Sequence, residues 1–146
     1  MADESFRADG LTARLRASQA HLDRLRQSRP WLRQLCLCTR DGKTMAEASA
    51  DGGLDAVAAA KLHGALLALC QSFAEKAFQS IPEHSLVATA RGCIVAVRMP
   101  CASGTFILGV LADSSEPIGL TLRESLDAAK DLAAILDTGD AAGQSG

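Results

Sequence analysis

From Leu54 to Phe78 the chain reads LDAVAAAKLHGALLALCQSFAEKAF, with no proline and few residues that resist a helix. Projected at helical angles, it is apolar on more than one side. Leu62, Leu66, Leu69, Cys70 and Phe73 share a broad stripe, wide enough to cover a sheet. Ala56, Ala60, Leu67, Ala74 and Phe78 form a narrower stripe beside it, bordered by His63, Gly64 and Gln71. The broad stripe is expected to face the core. The narrow one needs a cover of its own, and a chain of 146 residues has little left to supply it, so a second protein chain is the expected partner. Gly64 suits such a contact: a mid-helix glycine costs roughly 1 kcal/mol against alanine and is retained where another backbone comes close. The competing reading sandwiches the helix between the sheet and the terminal segments.

Length supports one domain with a core of its own, placed at residues 11–136 between a flexible start (1–10) and a small, polar, disordered tail (137–146). The net charge of −2 leaves no basic footprint for nucleic acid, and the lack of tyrosine and near lack of other aromatics removes stacking surfaces for bases or sugars. Charge is uneven along the chain. Residues 1–33 carry seven arginines against four acids, and residues 113–146 seven acids against two bases, so the two ends are expected to lie side by side. No apolar run reads as a membrane span, so no membrane insertion is expected. Five cysteines (Cys36, Cys38, Cys70, Cys93, Cys101) behind a polar start without the marks of a signal peptide point to a reducing, cytoplasmic setting.

Taken in order, Leu11, Leu15, Leu22 and Leu25 mark an amphipathic helix to about Gln27, stopped by Arg29-Pro30. Trp31–Thr39 reads as an inner strand, Arg40-Asp41-Gly42-Lys43 as a tight turn, and Thr44–Ser49 as a polar edge strand. Asp51 or Asp55 is placed to cap the central helix, which ends before Pro82. Ser85–Ala90, Cys93–Met99 and Thr105–Ala112 follow as three hairpin-linked strands, and Thr121 with Glu124 is expected to cap a last helix with Leu122, Leu126, Ala129, Leu132, Ala133 and Leu136 inward. The order α-β-β-α-β-β-β-α makes an α+β domain, a five-stranded antiparallel sheet with helices on both faces.

Within this order, LCLCTRDGKTMAEAS, the small-residue helix, the pair CIVAVRMP and TFILGVLA, and Gly119 before the last helix resemble the roadblock (dynein light chain) family in its bacterial form. The resemblance covers about residues 31–136, with the first helix in the family's place. It implies sheet order 2-1-5-4-3, with the central helix on one face and the terminal helices on the other. It also implies a dimer, with itself or a paralogue, in which central helices pack together and third strands join edge to edge. The expected dimer residues are Ala56, Ala60, His63, Gly64, Leu67, Gln71, Ala74, Phe78, Leu86 and Ala88. Roadblock proteins serve small Ras-like GTPases as activators or platforms, or act as adaptors.

The remaining chemistry-bearing residues point to no enzyme and no cofactor. There is no GxxxxGK loop for phosphates. Arg40 and Arg91, both beside turns, are the basic residues placed to approach a GTPase's phosphates, though a solvated role is the commoner one for such arginines. Cys36 and Cys38 share a strand face but lack zinc spacing, and His21, His63 and His84 sit on separate elements. Neither set is expected to hold metal or do catalysis. The second functional reading is a small-molecule sensor of PAS or profilin-like fold, which requires an apolar pocket with converging polar groups. A third, thiol chemistry at Cys101, requires a lowered thiol pKa.

Overall fold

The computed structural model describes residues 2–138, with side chains from residue 10 onward. Helix α1 (Ala2–Ser28) leads into β1 (Leu32–Thr39) and β2 (Thr44–Ser49), then α2 (Ala56–Phe78). Strands β3 (His84–Thr89), β4 (Gly92–Cys101) and β5 (Gly104–Asp113) follow, and α3 (Ile118–Thr138) closes the chain. The strands make one antiparallel sheet in the order β2-β1-β5-β4-β3, the order the resemblance implies. Residues of the expected tail beyond Thr138 lie outside the described residues. Helix α1 starts at Ala2, well before the expected Leu11.

Alternation along the strands sorts side chains into two compartments. Leu35 and Leu37, Val95, Val97 and Met99, and Leu108 and Val110 meet Leu22 of α1 and Ala128, Leu132, Ile135 and Leu136 of α3. Their alternates, Cys36 and Cys38, Ala96 and Ile107, meet Ala60 and Leu67 of α2. The terminal helices therefore share one face, as their opposite charges suggest. Arg29 Nε donates to Glu124 Oε2 at 2.8 Å, and His21 Nε2 lies 3.4 Å from Asp131 Oδ2. Even solvent-facing pairs contribute only about 0–1 kcal/mol each, and these are partly buried, so they add to the packing of Leu22 against Leu132 and Ile135 without replacing it.

Three polar side chains set the joints. Gln19 of α1 clamps the open edge of β2: its Nε2 donates to the Glu47 carbonyl at 2.6 Å and its Oε1 accepts from the Glu47 N–H at 3.0 Å. Gln34, 1% exposed, does the same for the entry to α2, donating to Leu54 O and accepting from Leu54 N. Asp55 caps α2, its carboxylate accepting from Ala58 N at 3.2 Å. Replacing Asp55 by alanine frees that amide and should cost about 1 kcal/mol. Thermal unfolding followed by circular dichroism should show a midpoint a few degrees lower, and an unchanged midpoint would mean the cap is idle.

The expected Thr121–Glu124 cap of α3 does not form. The helix begins one turn earlier, at Ile118 behind Pro117, because proline suits a helix's first turn. Thr121 is buried in that turn, its Oγ1 accepting from Trp31 Nε1–H at 3.2 Å, while Glu124 is engaged by Arg29. Gly119 accordingly lies within α3 rather than in the loop before it.

Candidate functional site

The two stripes of α2 are exchanged relative to expectation. The side that lies on the sheet is the small one: Ala59, Ala60, His63, Gly64 and Leu67 are buried there, with Ala56, Gln71 and Ala74 half-buried at its margins. The broad stripe points out: Leu62 is 58% exposed, Leu69 59% and Phe73 70%, with Leu66 and Cys70 half-buried beside them. Both partners are small where they meet, which is the physical reason. A methyl on Gly109 of β5 would collide with the His63 ring, and one on Gly64 would press on the Arg40 carbonyl oxygen at 3.1 Å. Close approach needs small residues on the helix, so the large ones are left outside. Gly64 thus makes room for the β1–β2 turn of its own chain, not for a partner helix.

Of the residues expected at a chain-to-chain contact, Ala60, His63, Gly64 and Leu67 are buried within the chain, Gly64 and Leu67 at the floor of a cleft beside the β1–β2 turn. Phe78, 77% exposed, stands at the C-terminal end of α2. Leu86 packs half-buried against the α1/α3 core, and Ala88 is exposed on β3. Strand β3 is an edge of the sheet, with Val87, Ala88 and Thr89 all exposed. The surface that α2 presents is therefore Leu62, Leu69 and Phe73, with Phe78 and Ile81 also exposed at and beyond its C-terminal end. An apolar stripe of this size on a single helix marks an interaction surface.

The same apolarity shows in the length of the helix. Helix α2 is long and apolar enough to cross a bilayer by length and composition, although one side of it is packed on the sheet.

Clefts open beside the helices. One, of about 400 Å³, runs between α2 and the β1–β2 turn and is lined by Arg40, Asp41, Gly64, Leu67, Ala68, Gln71 and Ile107. Its polar groups do not converge on a ligand position, since Asp41 accepts from Thr39 Oγ1 and Gln71 donates to Glu75. Another, of about 460 Å³, lies between β4 and α3 over Val97, Met99, Leu126, Ala129 and Ala133, with Glu83 and Lys130 at its rim. Arg40 and Arg91 lie at opposite ends of the sheet. The β4–β5 ladder from Gly92 to Cys101 separates those ends by roughly 30 Å, so the two cannot reach one phosphate group together.

The thiols divide by face. Cys36 and Cys38 lie under α2, where Cys38 is pushed up by its hydrogen bond to Cys36 and by burial. Cys93 belongs to the opposite compartment, so the three cannot share an ion. No cluster of three metal-ligating side chains occurs among the described residues. Cys101 is half-buried, and burial together with Asp137 raises its thiol pKa, the wrong direction for a nucleophile.

No protein-family model and no curated protein sequence matches the chain. Solved structures do. MglB of Myxococcus xanthus superposes with a TM-score of 0.71 at 18% identity, over 83% of this chain and 88% of that one. A structure described as MglB with tetrameric arrangement gives 0.72 at 17% identity, over 84% and 90%. A Roadblock/LC7 domain from Streptomyces avermitilis gives 0.68 at 20% identity, over 81% and 96%. With the strand order, the helix placement and these superpositions together, the chain has the fold of the bacterial roadblock-type domains.

Proposed function

We propose that this chain is a non-catalytic regulator or scaffold that pairs, with itself or a paralogue, and docks a small Ras-like GTPase in the cytoplasm. The observation that carries the pairing is the outward apolar stripe of α2 on a roadblock fold. Leu62, Leu69 and Phe73 are more than half exposed, and a second copy of the same helix is a self-complementary cover for them. The open edge of β3 beside them, with Val87, Ala88 and Thr89, extends the contact from helix to strand. A similar structure described as tetrameric supports association of the fold in general. Five free thiols suit a reducing compartment.

The GTPase part of the reading comes from the resemblance and is tested directly. The chain, tagged, is mixed with a small Ras-like GTPase of the same genome loaded with GDP or with a GTP analogue. Retention of the GTPase in one nucleotide state above the other is expected. Equal failure in both states, for every such GTPase, would reduce the reading to an adaptor.

A further inference from the structure

Helix α2 sits on a thin seat. Apart from Ala59, Ala60 and Gly64, it buries only His63 and Leu67, whereas α3 buries Leu132, Ile135 and Leu136. At the centre of that seat lies an imidazole. His63 is 3% exposed, and its Nε2 is buried without a hydrogen-bond partner. Its ring rests on the Gly109 backbone of β5, where no side chain stands in the way.

Among the described residues, the sheet beneath the ring sets no carboxylate beside it. Register places Cys36 and Ala96 on either side of Gly109, with Glu47 beyond Cys36 and Ser85 beyond Ala96. The titratable and charged groups on this sheet face are thus Cys36 and Cys38 on β1, Glu47 on β2, Arg98 on β4 and, at the far end of β5, Asp113. Ser85, Val87 and Thr89 of β3 supply none, and Arg40 and Asp41 belong to the turn against Gly64. Glu47 stands two strands from Gly109, roughly 10 Å away, and its carboxylate accepts from Gln34. Arg98 would repel a second positive charge, and Cys38 is pushed up by its hydrogen bond to Cys36 and by burial, while that same hydrogen bond draws the Cys36 thiol down.

We propose that His63 is a proton-operated latch: uncharged, it lets α2 lie flat on β5, and protonation lifts the helix from the sheet together with its exposed apolar stripe. The loss of pairing that follows rests on the function proposed above; the latch itself does not. Burial lowers the His63 pKa below its ordinary 6.5, so the unfolded or lifted state binds the proton more readily. The seat is at full strength above that value and weakens as pH falls below it. Between about pH 8 and about pH 5 the opening equilibrium should rise, by at most about thirtyfold, the most that an imidazole of ordinary pKa can supply over that range.

The test is hydrogen exchange of the full chain across that range, corrected for intrinsic rates, in the wild type, His63→Phe, His63→Gln and His21→Gln. His21 is the control because its pKa is also lowered by burial, on the other face of the sheet. The latch predicts that α2 amides lose protection on acidification in the wild type and in His21→Gln, that in both His63 variants α2 is flat, and that any response of α3 amides follows His21 and not His63. Flat α2 protection in the wild type, or a step kept in His63→Phe and His63→Gln, would overturn it. A second readout covers poorly folding variants: an NMR titration of the wild-type His63 ring giving a pKa of 6.5 or above also overturns the latch. Light scattering on the same samples separates the two ideas, since an α2 step without any change in mass leaves the latch standing and counts against pairing through α2.

Discussion

Leu69→Glu combined with Phe73→Glu should yield a folded monomer. Both side chains are more than half exposed in the single chain, at 59% and 70%, so charging them removes little intrachain packing. In a two-fold pair the same changes strike four side chains at once. Each buried Leu or Phe is worth about 1.5–3 kcal/mol, and the lower end applies because each is already partly covered. The loss is then roughly 6 kcal/mol, about four decades in Kd, before repulsion among the new carboxylates is counted. Circular dichroism should be unchanged, and light scattering should report one chain. A variant that remains paired would place the contact elsewhere on the surface.

Leu67→Glu should fail in the opposite way. Leu67 is 5% exposed and shares its compartment with Cys36, Cys38, Ala60, Ala96 and Ile107. The lost leucine packing alone costs about 2–5 kcal/mol, before the desolvation of the carboxylate is counted. Against a total stability of roughly 5–15 kcal/mol, that is enough to unseat α2 or unfold the domain. Chemical denaturation should show a large drop in midpoint or no cooperative transition. A variant as stable as the wild type, with only its association lost, would restore Leu67 to the outer surface and undo the orientation of α2.

These two residues also mark what the sequence reveals and what it hides. Element order, the strand boundaries to within about two residues, a cap at Asp51 or Asp55, of which the structure uses Asp55, and the side-by-side terminal helices all follow from local patterns: hydrophobic period, turn residues and charge. The orientation of α2 does not. Periodicity measures where a helix is most apolar, and in a chain that leaves its most apolar face outward that side is the wrong one to turn inward. The signal lay in complementarity of size. Gly109, Ala96 and Cys36 on the sheet match Ala59, Ala60 and Gly64 on the helix, but which strand residues face the helix is known only once strand order is fixed. The joints made by Gln19 and Gln34 were illegible for a similar reason, since each ties backbone groups distant in sequence. Thr121 was misread because Pro117 starts its helix a turn earlier, leaving the threonine to Trp31.

The central claim is that the exposed stripe of α2 is covered by a second chain. Multi-angle light scattering of the unmodified protein at neutral pH, over a dilution series through the micromolar range, tests it most directly. The account predicts a mass of twice the 15.2 kDa chain that falls towards one chain only on dilution. A mass of one chain at every concentration would contradict it.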